Sequence, residues 1–284
     1  MKIDGMTTRH IESGPGQLDG RLRYLAGGSG PPLVLLHTVR TQAEHFHRLI
    51  PLIVDHYSVY ALDLPGMGYS DIVAGASYDE PAMRRGVQRL LDGLDLQDVT
   101  IVGESMGAVL GLTTAVHRPE RVRRVVAVNP YDYRGGITRS SALARFVITG
   151  ILAPGVGPLL ARVEPRPIMS AILRGGLVDS SALTGDYLDE LLEVGRRPGY
   201  ARVARAVYGN LASLIAARSQ YGRVIADVDV IYGLNDWSRP QDRRGNESRL
   251  PAAEFQHIRD AGHFLSLERP DVIAGLLRQS STDD

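Results

Sequence analysis

The stretch Ile101-Val102-Gly103-Glu104-Ser105-Met106-Gly107-Ala108 joins an apolar run, Val99 to Val102, to a segment with helical pattern, Met106 to Val116. Glycines two before and two after a serine are what a sharp strand-to-helix turn demands. The turn strains the backbone of the serine, and side chains at the flanking positions would collide. Such a turn lifts the Ser105 hydroxyl clear of the sheet. It aims the next backbone N–H, that of Met106, and the positive end of the following helix at whatever the hydroxyl attacks. The rest of the chain must therefore supply a sheet around Val99 to Val102 and partners for an exposed serine.

The sheet is legible upstream and downstream. The first residues are expected to form a tail and an edge strand near His10 to Ser13, followed by a strand over Arg21 to Ala26. Leu33-Val34-Leu35-Leu36 is a continuous apolar run bounded by turn residues, as in a strand covered on both faces. Glu44 to Val54 has helical pattern, Ser58 to Leu62 reads as a strand, and Glu80 to Leu94 as an amphipathic helix. Val122 to Val128 is a further strand, closed by Asn129-Pro130. Strands alternating with helices at this spacing give an α/β fold with a mostly parallel sheet and helices on both faces. In such sheets, sites lie beyond the carboxyl ends of the strands.

The alternation stops after Pro130. From Tyr131 to Tyr221 the patterns are helical and interrupted by Gly and Pro, which predicts an inserted helical cap. It resumes at Val228 to Tyr232, continues at Glu254 to Arg259, and ends in a helix near Asp271 to Leu277. The expected organisation is a core over 1–130, a cap over 131–221 and the remainder of the core over 222–284. Most apolar residues of the cap are expected to pack on the core, with some lining a cleft above it; contact with a lipid surface is the alternative use.

The chain has 284 residues, with 32 Lys+Arg against 32 Asp+Glu, so nothing in the charge balance favours nucleic acid as a partner. It holds no cysteine, which removes disulfides, thiolate chemistry and Cys-bound metal. The apolar stretch Phe146 to Ala161 is broken by glycines and prolines and is too short for an integral membrane segment. No signal-peptide pattern opens the sequence, so a cytoplasmic protein is expected. His45 and His47 stand two apart, which on a helix faces them apart. No metal is expected there.

A serine hydroxyl needs a base, and the base an orienting acid. Downstream, each after an expected strand, stand Gly233-Leu234-Asn235-Asp236-Trp237 and Ala261-Gly262-His263-Phe264. Asp236 is preferred as the acid, with Asp132, which follows an earlier strand, as the alternative. The order Ser105, Asp236, His263, the turn Gly103–Gly107, the loop Asp63-Leu64-Pro65-Gly66-Met67-Gly68-Tyr69-Ser70 and Gly262-His263 together resemble the α/β-hydrolase fold superfamily, specifically its capped single-domain group.

That resemblance implies a helical cap over a Ser-His-Asp triad and acyl transfer without any cofactor. Carboxylic ester hydrolysis of a small hydrophobic substrate comes first. Cleavage of a carbon–carbon bond beside a carbonyl, or a non-catalytic small-molecule-binding role, are the alternatives. Relatives that act as dehalogenases or epoxide hydrolases use an aspartate where this chain has Ser105. Members usually carry His-Gly after the strand ending here at Leu36; this chain has His37-Thr38-Val39-Arg40. The oxyanion donors are then expected to be Met106 N–H with Thr38 or Val39. His37, Arg40, Glu104 and Trp237 are the candidate substrate contacts. The partner expected is a small hydrophobic substrate, with a homodimer left open.

Overall fold

In a computed structural model of the chain, residues 1–13, 20–163 and 165–279 are described. Eight strands form one sheet: β1 (Met6–Ile11), β2 (Leu22–Gly27), β3 (Pro32–Leu36), β4 (Ser58–Leu62), β5 (Val99–Glu104), β6 (Val122–Val128), β7 (Asp227–Gly233) and β8 (Glu254–Ile258). Their spatial order is β1-β2-β4-β3-β5-β6-β7-β8, antiparallel at the β1–β2 and β2–β4 pairs and parallel elsewhere.

The central strands alternate between two apolar layers, because successive side chains of a strand point to opposite faces. Val34, Leu36, Ile101, Val125 and Ala127 pack on one side under helices α1 (Glu80–Gly93) and α2 (Met106–His117). Leu33, Leu35, Val102, Val126 and Val128 pack on the other, against Phe46, Leu49, Ile273 and Leu277. Burial on both faces explains why β3, β5 and β6 read as continuous apolar runs rather than alternating ones.

Between β6 and β7 the described residues form helices and no strand: α3 (Gly136–Ser140), α4 (Ala142–Leu152), α5 (Gly157–Leu160), α6 (Arg166–Arg174), α7 (Gly185–Gly195), α8 (Tyr200–Gly209) and α9 (Leu211–Ala217). After β7 come α10 (Pro240–Glu247), α11 (Leu265–Glu268) and α12 (Pro270–Gln279). No helix among the described residues is long and apolar enough to cross a membrane.

Two expectations are corrected. The first strand is Met6–Ile11 and not His10 to Ser13, since its register is set by antiparallel pairing with β2, from Met6 opposite Gly27 to Ile11 opposite Leu22. The helix expected over Glu44 to Val54 is two short 3₁₀ turns, Ala43–Phe46 and Ile50–Leu52. Pro51 lacks the N–H that an α-helix would need at that point and stops one from running through.

Candidate active site

Ser105 holds φ 60° and ψ −111° between the end of β5 and the start of α2. That left-handed backbone is costly for a residue with a side chain, and the surroundings enforce it. Ser105 N–H donates to Val128 O at 2.8 Å, and Ser105 O accepts from Tyr131 N–H at 3.2 Å. A methyl group at Gly107 would stand 1.9 Å from Leu36 O, and one at Gly103 would stand 2.2 Å from Gly107 O. Strand, turn and helix are thus in backbone contact, and only glycine fits at either flank.

The base and acid arrive from the carboxyl ends of β8 and β7. Ser105 Oγ lies 2.8 Å from His263 Nε2, and His263 Nδ1 is hydrogen-bonded to Asp236 Oδ1. The second oxygen of Asp236 accepts Ser238 N–H at 2.9 Å. Burial pushes the Asp236 carboxyl up, but the adjacent His263 and the donors from His263 and Ser238 together hold it below the ordinary carboxylate range. An ionised acid therefore faces the imidazole, which presents its other nitrogen to the serine hydroxyl. Asp132, the alternative acid, takes no part. It accepts from Asn246 at 2.8 Å, and burial raises its carboxyl to about 6, against a partial offset from Arg218.

The model for the alpha/beta hydrolase fold matches residues 31–150, which include the turn around Ser105. The chain has the α/β-hydrolase fold. It is 28% identical over 269 residues to the dihydrolipoyllysine-residue acetyltransferase component of the acetoin cleaving system of Cupriavidus necator, covering 92% of this chain and 67% of that protein. It is 28% identical over 271 residues to a 2-hydroxy-6-oxononadienedioate/2-hydroxy-6-oxononatrienedioate hydrolase of Cupriavidus pinatubonensis, covering 92% and 91%. A solved epoxide hydrolase superposes with a TM-score of 0.82 at 18% identity, over 96% of this chain and 98% of that one.

Within this hydrolase fold the histidine is held more firmly than its own loop suggests. Asn129, at φ 45° just past β6, donates to Gly262 O at 3.0 Å and His263 O at 2.9 Å, while its oxygen accepts Gly233 N–H at 2.9 Å. One buried amide thus ties the loop of the acid to the loop of the base. From the helical segment, Gly176 O accepts His263 N–H at 2.7 Å. Glu268 accepts Gly262 N–H and Asp179 N–H, both at 2.7 Å. Sequence reasoning missed Asn129, Gly176 and Glu268. Only Asn129 carried a signal, as a polar residue before a proline at the carboxyl end of a buried strand.

Trp237 stacks on His263, with ring centroids 3.8 Å apart and planes 14° off parallel, and donates from its indole to Gly175 O at 3.2 Å. Phe264 and Tyr131 approach the imidazole edge-on, at 5.2 and 6.2 Å. The imidazole therefore sits in an aromatic sleeve, one face covered by the indole.

A cavity of about 40 Å³ opens beside Ser105, lined by Thr38, Val39, Arg40 and Trp237 and by Met169, Ile172 and Leu173 of α6. A larger cleft, about 1080 Å³, lies at the amino ends of β6 to β8 around Arg123, Asp227 and Glu254, away from every one of these groups. Thr38 O accepts from Thr41 N–H, Thr41 Oγ and His37 Nδ1, so the loop bearing Thr38 and Val39 is fastened without a glycine. Met106 opens α2, where the N–H groups have no carbonyl a turn earlier in the helix.

Two expected substrate contacts are corrected. His37 is fully buried away from the cavity. Its Nε2 accepts Leu64 N–H at 3.0 Å, and burial lowers it to about 3, so it is a neutral loop fastener. Glu104 is buried behind the turn, bonded to His45 Nε2 and accepting Ser266 N–H at 2.9 Å. Arg40 and Trp237 do line the cavity; the Arg40 guanidinium lies 5.1 Å above the ring of Tyr200. His47, two residues after His45, bonds Glu44 O at 3.1 Å and so points to a different partner from His45.

Proposed function

We propose that the chain is a cofactor-independent serine hydrolase of carboxylic esters with small hydrophobic acyl or alcohol groups. The observation that carries this reading is the continuous hydrogen-bonded line from Ser105 Oγ through His263 to a buried, ionised Asp236. Ser105 Oγ attacks the ester carbonyl carbon as His263 Nε2 takes the hydroxyl proton. Asp236 and the Trp237 face stabilise the imidazolium. Met106 N–H and an N–H of Thr38 or Val39 bind the tetrahedral oxyanion. The proton passes to the leaving alcohol, and water activated by the same imidazole releases the acid from Ser105.

Residues 131–221 act in this reading as the cap. The cavity below them is much smaller than the roughly 300–1,000 Å³ usual for ligand sites, so the cap must shift to admit substrate. The lining from Val39, Ile172 and Leu173 suits an apolar group, and Arg40 supplies the one cation. A second reading, cleavage of a carbon–carbon bond beside a carbonyl, draws support from the dienedioate hydrolase relative and from Arg40, which suits a substrate carboxylate.

Labelling with a fluorophosphonate tests the proposal. Wild type is expected to be labelled, and Ser105→Ala and His263→Ala are not. p-Nitrophenyl esters of rising chain length then map the acyl site. Folded wild type that resists labelling and turns over none of these esters would replace the proposal with a binding role.

A further inference from the structure

Seven of the eleven exposed large hydrophobic side chains among the described residues lie between Leu143 and Val163, on the α4–α5 hairpin. Phe146 is 77% exposed, Val163 65% and Leu159 64%. Helix α4 is apolar on both faces. Ala144, Ile148 and Ile151 point inward and are buried, while Leu143, Phe146 and Leu152 point out. Proteins that stay free in water rarely keep exposed apolar side chains gathered on one segment in this way.

Within the segment that carries the patch the charge is one-sided. From Tyr133 to Val163 the sequence has Arg134, Arg139, Arg145 and Arg162 and no acidic residue, in a chain whose net charge is +0. Arg139 is ion-paired with Asp242 at 3.3 Å, but Arg134, Arg145 and Arg162 are exposed on the same segment as the apolar groups. Arg145 stands beside Phe146 on the outer face of α4. Exposed apolar side chains set among arginines match the surface of a bilayer containing anionic lipid, with the rings and aliphatic chains below the headgroups and the guanidinium groups among the phosphates.

A second copy of the chain fits less well. A two-fold dimer places the same patch against itself, and so arginine against arginine. Helix α4 has 11 residues and α5 has 4, far short of the roughly 20 a span needs, so the hairpin lies on a bilayer rather than through it.

We infer that the α4–α5 hairpin docks the protein onto anionic phospholipid surfaces. The hairpin is flanked in the chain by α3 and α6, whose Ile137, Met169, Ile172 and Leu173 line the cavity beside Ser105. Docking therefore lays the helices over the site against the phase in which apolar substrates dissolve. The docking itself does not depend on the hydrolytic reading.

Flotation with vesicles of phosphatidylcholine alone and of phosphatidylcholine mixed with phosphatidylglycerol decides the matter. Wild type and Ser105→Ala are expected to float alike with the mixed vesicles, weakly with neutral ones, and less at high salt. Phe146→Asp, or Leu159→Asp as an independent variant, is expected to lower the bound fraction about tenfold, and Arg145→Glu with Arg162→Glu likewise. Labelling of Ser105 in solution should be unchanged in all of them, because none of these side chains lines the cavity. The inference is overturned if wild type stays with neither vesicle, or if the substitutions leave flotation unchanged. It is also overturned if sedimentation shows a dimer that Phe146→Asp dissociates while vesicles bind nothing.

Discussion

The β5–α2–β6 unit and the α4–α5 hairpin have much the same hydropathy and opposite fates. From Met106 to Val116 every residue of α2 is buried, pressed between the sheet and α1. In α4 a comparable run is covered on one side only. Apolarity creates a demand for cover, but which neighbour meets it is decided by the tertiary structure. In α2 the sheet meets it completely, to the point of backbone contact at Gly107. In the hairpin the inner face has α8 and the outer face has whatever the protein touches.

The sharpest way to break this comparison is a single methyl group. Gly107→Ala would place a Cβ 1.9 Å from Leu36 O, with no flexible side chain to yield. The expected loss is about 4 kcal/mol or more, at the exceptional end for point changes, read by urea unfolding. Gly209→Ala at the end of α8 meets nothing within 4 Å at an ordinary φ, and is expected to be neutral or to stabilise by about 0.5–1 kcal/mol. Equal losses at the two sites would show that the tight approach at Gly107 is not what holds the turn.

The two buried aspartates sharpen it next. Asp236→Asn should lower the labelling rate about 10³–10⁴-fold, by removing the charge that orients and stabilises the imidazole. Asp132→Asn should leave it within about threefold, since its carboxyl bonds Asn246 away from the histidine. Their effects on stability have opposite signs with pH. Asp236 is held below its usual 3.8, so its contribution is present above that value and lost as pH falls. Asp132 is raised to about 6, so its contribution is full below 3.8 and fades as pH rises through 6. Asp132→Asn is therefore expected to flatten a decline on the order of 3 kcal/mol between pH 4 and pH 7. Denaturation midpoints across that range read it directly.

A smaller loss of activity than at Asp236 is expected at Trp237. Replacement by Leu keeps an apolar wall but removes the face stacked on His263 and the indole bond to Gly175. A fall of about tenfold in labelling rate is expected, in line with a cation–π contact of 1–2 kcal/mol. An unchanged rate would make Trp237 a wall of the cavity and nothing more.

Much of the core was readable because its signals are local. The apolar runs of β3 to β7, the glycine spacing around Ser105 and the turns bearing Asp236 and His263 each follow from residues within a few positions of one another. The edges were harder. Met6–Ile11 is mostly exposed and has no apolar period of its own, so only its partner β2 defines it. Glu44 to Val54 had helical spacing, but Pro51 broke it into two turns. His37 and Glu104 stand beside site residues in sequence and yet face away from the cavity, because neighbours along a chain need not share a face.

By itself the sequence determined the fold family, the order of Ser105, Asp236 and His263, and the need for glycine at 103 and 107. All of these rest on backbone geometry and short-range pattern. The tertiary structure alone decided that Asp236 rather than Asp132 reaches the histidine, and that Asn129 and Gly176 hold it from distant parts of the chain. It also decided that Trp237 covers the imidazole face and that one side of α4 stays uncovered. The hydrogen bonds among them join groups 27 to 134 residues apart, and the stacking of Trp237 and the cover of α4 likewise depend on packing between elements, which no local pattern encodes.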